Sequence, residues 1–120
     1  MKAYTDIEQS KKLAEILPIE SADAYYTFID QGYFLEVKQG LEPSKDDIPC
    51  WSLAALLNTL PVSVDEGQHC LALINSNPND IEWLCCYEDY KGDLMIECYS
   101  DNQVDACVEM IYKLKEKDLL

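Results

Sequence analysis

Six cysteines and a single histidine are the residues of this 120-residue chain best suited to metal or nucleophile chemistry. Zn²⁺ takes thiolate and imidazole ligands, which makes His69-Cys70, Cys85-Cys86 and Cys98 a first candidate set. Their spacing argues against it. Zinc sites place paired ligands two to four residues apart across a tight turn, whereas adjacent residues of a strand point to opposite faces. No metal or cofactor is expected. A cysteine nucleophile needs a base nearby, and His69 is the sole imidazole. Cys50 is the candidate reactive thiol, since the pattern places it at the start of a helix, where a thiol pKa falls. Cys70 beside His69 is the second choice. A small cysteine-dependent enzyme is therefore one reading of the chain.

Paired carboxylates also perform acid and base work, but twenty-three Asp and Glu residues bring some pairs together by chance. Only Glu97, within Met95-Ile96-Glu97-Cys98, has an apolar setting, and strand alternation alone exposes it. No glycine-rich phosphate loop, nucleophile elbow or calcium-loop spacing occurs. The balance favours a protein that is not an enzyme.

Charge is more informative. All nine basic residues are lysines, arginine is absent, and the net charge is -14 with a pI near 4.1. Nucleic-acid binding depends on neutralising phosphates with basic groups, so direct contact with DNA or RNA is not expected, and an anionic membrane surface would repel the chain. From Asp65 to Glu109 eleven carboxylates face one base, Lys91. Eight tyrosines exceed what a core requires, and Tyr25, Tyr26, Tyr33, Tyr87, Tyr90 and Tyr99 all map to the hairpins. Tyrosine brings large contact area at low entropic cost. Asp80, Glu82, Glu88, Asp89, Tyr90, Asp93, Glu97 and Tyr99 are accordingly the candidate interaction face, with a basic protein as the expected partner. Self-association through a sheet edge, giving a homo-oligomer, is a third reading.

The elements that would position these residues follow from pattern. Thr5-Asp6-Ile7-Glu8 is a capping box opening a helix whose face carries Ile7, Ser10, Ala14 and Leu17, widened by Leu13 and Ile16, and closed by Pro18. Two β-rich runs, Ala24 to Ile29 and Tyr33 to Val37, flank Asp30-Gln31-Gly32 as a hairpin. Gln39 to Asp47 reads as a loop. Pro49 to Pro61 is the most hydrophobic stretch and predicts a buried helix of about ten residues, with Leu53, Leu56, Leu57 and Leu60 sharing a face beside Ala54. Val62 to Gln68 is loop-like, and Cys70 to Ile74 predicts a central strand before a turn at Asn75 to Asp80. Glu82 to Tyr87 and Leu94 to Tyr99 form the best hairpin candidate, with Trp83, Cys85, Tyr87, Leu94, Ile96 and Cys98 facing the core and Leu84 and Cys86 on the other side, which is expected to be partly covered too. Val104, Cys107, Val108, Ile111 and Leu114 keep helical spacing from Asp101 to about Lys117. The sum is one α+β domain over residues 1-120, with an antiparallel sheet of about five strands and two or three helices packed on it.

Asp47-Ile48-Pro49-Cys50-Trp51-Ser52-Leu53-Ala54-Ala55-Leu56-Leu57 and Asp101-Asn102-Gln103-Val104-Asp105-Ala106-Cys107-Val108-Glu109-Met110-Ile111 resemble a group of small uncharacterised proteins from prophages and mobile elements of gut Bacteroides-like bacteria. The resemblance runs from about Ser21 onward, and its most specific part is Pro-Cys-Trp-Ser-Leu. It implies a setting and transfers no functional residue. In that setting a short acidic protein could block a host or competitor protein, including by presenting carboxylates where DNA phosphates would lie. The first residues lack the basic-then-apolar order of a secretory signal, which predicts a cytoplasmic protein with reduced cysteines.

Overall fold

A computed structural model describes residues 2–37, 44–77, 79 and 82–120. The chain is α+β: α1 (Ile7–Ala14), β1 (Ala24–Ile29), β2 (Gly32–Val37), β3 (Ile48–Cys50), α2 (Leu53–Thr59), β4 (Ser63–Val64), β5 (His69–Asn77), β6 (Glu82–Glu88), β7 (Leu94–Ser100) and α3 (Gln103–Glu116), with a 3-10 turn at Ile19–Ser21. The strands form two antiparallel sheets rather than one of five, ordered β2-β1-β3 and β4-β5-β6-β7. Two compact units contain them: Ala3–Thr59, and Leu60–Leu120 together with Lys2. Among the described residues no helix is long and apolar enough to cross a membrane.

In the first unit, α1 is capped one residue later than the sequence predicts. Asp6 accepts the Gln9 amide at 2.8 Å, and Gln9 returns the bond to the Asp6 amide at 3.1 Å. Thr5 is withdrawn from capping because its hydroxyl is buried, shared with Ser10 Oγ at 2.7 Å and accepting the Trp51 amide at 3.1 Å. Ser10, Leu13 and Leu17 are buried, whereas Ala14 is exposed where the helix ends, before Pro18. β1 and β2 are joined by Asp30 and Gln31, both left-handed (φ 50° and 67°), the two-residue turn whose twist suits a hairpin. Gly32 belongs to β2, opposite Ile29.

The helix predicted over Pro49 to Pro61 is shorter and preceded by a strand. Ala24 pairs with Cys50 and Tyr26 with Ile48, so Cys50 lies in β3. Ser52 opens α2. Its hydroxyl accepts the Ala55 amide and donates to the Asp23 carboxylate, which also accepts the Ser52 main-chain N–H. Leu56 and Leu60 are buried, Leu53 and Leu57 half-buried, and Ala54 exposed, so α2 has a solvent face that uniform apolarity disguised.

In the second unit, β5 is internal, between β4 and β6. It runs on to Asn77, into the stretch expected to turn, and positions 78, 80 and 81 lie outside the described residues. Most of the loop expected from Gln39 to Asp47 lies outside them as well. α3 packs on β6 and β7 through Val104, Cys107, Val108, Ile111 and Leu114, with Ala106 and Met110 also buried. Asn102 caps it, accepting the Asp105 amide at 2.8 Å, and Lys2 Nζ binds Asp105 at 2.7 Å. Cys85, Tyr87, Ile96 and Cys98 are buried and Trp83 half-buried. Leu94 is a correction: it is exposed. Tyr87 pairs with Ile96 while Glu88 pairs with Leu94, so an extra β7 residue, Met95, interrupts the alternation there.

Candidate interaction face

The thiols narrow first. Cys50 is fully buried in a strand, and burial, then the Asp23 carboxylate, pushes its thiol up to about 12. A helix start would lower that pKa, so the ground for singling out Cys50 falls. Cys85 is pushed up by donating to Cys107 in the core, and Cys98 rises to about 11 by burial despite Lys113 nearby. Cys70 alone is exposed. His69 is its neighbour on β5 and projects to the opposite face of the strand. The imidazole Nδ1 lies 3.4 Å from Asp65 Oδ2, too poorly aligned for a hydrogen bond. Among the described residues no group of three or more His, Cys, Asp or Glu is placed to hold a metal ion. A thiol reagent at neutral pH is expected to modify Cys70 quickly and the other five cysteines only after denaturant is added. Rapid loss of two or more thiols in the native state would contradict the burial described here.

The carboxylates gather on the face of the four-stranded sheet opposite α3. β6 presents Glu82, Leu84, Cys86 and Glu88 to that side, β5 adds Cys70, Ala72 and Ile74, and β7 adds Glu97 and Tyr99. Leu84 and Cys86, between the two glutamates of β6, are buried. Ile74 and Tyr99 stand exposed beside them. The Tyr99 hydroxyl donates to Glu97 Oε2 at 3.1 Å, and that bond, followed by minor burial and the charges of Glu97 and Glu82, raises the phenol pKa. The Cys86 thiol is pushed up to about 11 by burial first, then by Glu88, Cys85 and Glu97. Three carboxylates thus share one field across this face.

One end of the same sheet carries four more acids, Asp65, Glu66, Asp89 and Asp93. The β4–β5 turn holds Asp65 and Glu66 beside the loop joining β6 to β7, where an open cleft of about 320 Å³ is lined by Gly67, Gln68, Cys70, Leu71, Glu88, Asp89 and Tyr90. Tyr90 is 90% exposed, and Lys91, the lone base of the acidic segment, sits 5.6 Å from its ring centroid. Asp89 is committed to the loop: its carboxylate accepts the Lys91 and Asp93 amides, both at 2.9 Å, while Gly92 supplies the left-handed φ of 85°. Asp93 is exposed. Asp80 lies outside the described residues. Of the residues marked from the sequence, Glu82, Glu88, Glu97 and Tyr99 come together on the sheet, and Asp89, Tyr90 and Asp93 at its end.

No family model, curated protein or solved structure matches this chain. Alternation sets Leu84 and Cys86 on this side of the sheet with partial cover expected, and both are buried. The exposed Ile74 beside Tyr99 is what sequence reading missed, because Cys70 to Ile74 looks like a uniformly buried strand. The tyrosines also divide by role: Tyr26 and Tyr87 donate to the carbonyls of Thr5 and Pro61, both at 2.7 Å, while Tyr33, Tyr90 and Tyr99 remain exposed.

Proposed function

We propose that this protein is a non-catalytic binding protein that docks a basic protein surface on the outer face of its four-stranded sheet, as an accessory factor of a mobile element in a bacterial cytoplasm. The observation that carries the reading is the placement of Glu82, Glu88 and Glu97 on one side of the sheet with the exposed side chains of Tyr99 and Ile74. Carboxylates supply steering and specificity, while an exposed aromatic beside aliphatic side chains supplies contact area. Charge complementarity identifies the partner's chemistry, since Glu82, Glu88 and Glu97 share this side of the sheet and Lys91 is the one lysine between Asp65 and Glu109.

The test is capture of partners from a Bacteroides-type lysate by the wild-type chain, by Glu97→Lys with Tyr99→Ala, and by Glu20→Lys. Glu20 is exposed and belongs to the other unit. One basic protein should be held at low salt and released at high salt, because exposed charges are screened beyond a Debye length. The double variant is expected to bind it at least about tenfold more weakly, roughly 1.4 kcal/mol, with Glu20→Lys unchanged. Equal capture by all three chains, or retention that ignores salt, would overturn the proposal. Asp89 is unsuitable for this purpose, since its replacement opens the loop.

A further inference from the structure

Exposed sheet edges are templates for pairing, and proteins blunt them with short strands, proline, lysine or local cover. Among the described residues, three of the four outer strands are blunted. β3 has three residues including Pro49, and β4 has two. On β7 the Glu97 carbonyl accepts Lys113 Nζ at 2.7 Å. β2 is different. It has six residues, lacks proline and lysine, and is exposed on both faces, with Tyr33, Phe34, Leu35 and Val37 between 41% and 54% accessible.

Its register fixes which main-chain groups look outward. A two-residue turn makes Ile29 and Gly32 a hydrogen-bonded pair, so alternation makes Thr27–Phe34 and Tyr25–Glu36 bonded pairs too. The N–H and C=O groups of Tyr33, Leu35 and Val37 therefore point away from β1. β1 obeys the same alternation on its other side, where Ala24 and Tyr26 turn to β3. The Phe28 and Tyr33 rings, 5.1 Å apart edge to face, stiffen the tip of the hairpin.

We propose that β2 pairs antiparallel with β2 of a second copy of this chain, about a twofold axis through Leu35, forming a continuous six-stranded sheet. In that register Leu35 faces Leu35 of the second copy, and Tyr33 faces Val37, each pair exchanging its outward main-chain bonds. Glu36 falls opposite Phe34, so no carboxylate meets its own counterpart. Charge selects the same place. A chain of net charge -14 repels its copies, yet residues 24–37 hold only Asp30 and Glu36, while the acid-rich stretch lies in the other unit. A strand edge of this length covers less than the roughly 800 Å² per partner of a standard interface, so the dimer dissociates readily on dilution.

Sedimentation and light scattering of the full chain over a wide concentration range test this directly. Twice the 13.7 kDa chain mass is expected to appear as concentration rises, to be lost in Leu35→Lys, and to persist in Val62→Lys, an equally drastic change at a site 82% exposed elsewhere. Hydrogen exchange on the wild type gives a reading that does not depend on any variant folding. Protection of the Tyr33, Leu35 and Val37 amides should grow with concentration, while Phe34 and Glu36, bonded to β1, stay protected throughout. A monomer at every concentration, a dimer that survives Leu35→Lys, or outward amides that exchange at one rate whatever the concentration would overturn the proposal.

Discussion

Replacing Trp51 with alanine is expected to lower the stability of the chain by about 3–5 kcal/mol, the range for deleting a large aromatic from a packed core. The indole is fully buried, and its N–H donates to Ser21 Oγ at 2.9 Å. The main chain at this position binds Thr5 twice: the Trp51 N–H reaches Thr5 Oγ1 at 3.1 Å, and the Thr5 N–H reaches the Trp51 carbonyl at 2.9 Å. Truncation therefore leaves a cavity and strips Ser21 of its indole donor, where α1, β3 and the 3-10 turn depend on one another. Domains of this size have only about 5–15 kcal/mol in total, so much of the native population would be lost on warming. Trp51→Phe keeps most of the volume and should cost less than half as much. Urea unfolding followed by circular dichroism measures both. A loss below about 1 kcal/mol for the alanine variant would mean that the site collapses around the gap.

Trp51 also shows where sequence reading stops. The stretch around it looks like one helix because Pro49 and Pro61 punctuate a hydrophobic run, and helix and buried strand are indistinguishable by apolarity alone over so few residues. The three-residue β3 is made by its partner: Ile48 to Cys50 are extended because β1 lies alongside, a tertiary cause that leaves no local periodicity. The same holds for the two-residue β4 beside β5. Nor does any local pattern say that the β1–β2 hairpin belongs to one sheet and β5, β6 and β7 to another. Elements with strong local signals came out close to their expected bounds: α3 with its five spaced apolar residues, and the β1–β2 and β6–β7 hairpins with their turns. The candidate face was half legible. Alternation placed Glu82, Glu88, Glu97 and Tyr99 on strands, but which side of the sheet α3 covers depends on how α3 packs. Equally, nothing local to Asp89 announces that its carboxylate closes a loop instead of meeting solvent.

Raising the pH from about 9 to about 12 is expected to unfold the protein progressively, and the cause lies in its buried thiols. Cys50 rises to about 12, mainly by burial and then by Asp23, and Cys86 and Cys98 rise to about 11, in each case mainly by burial, all from an ordinary 9.0. A group whose folded pKa is raised favours folding while it stays neutral. That contribution is complete below the unfolded pKa and is lost as pH climbs through the folded value, since the unfolded chain gains by ionising first. At about 1.4 kcal/mol per unit, Cys50 alone supplies at most about 4 kcal/mol of this dependence. Tyr87, also pushed up by burial, steepens it at the upper end. Unfolding free energies measured by urea at about pH 8 and about pH 11 should fall by several kcal/mol, and Cys50→Ala should flatten the curve between them even where it lowers stability at neutral pH. Thiolate absorbance gives the independent check: in the folded state Cys50 should stay silent near pH 9 and titrate only as the chain opens. A Cys50 that ionises near its ordinary value without unfolding would show that water reaches β3, and the burial invoked here would be wrong.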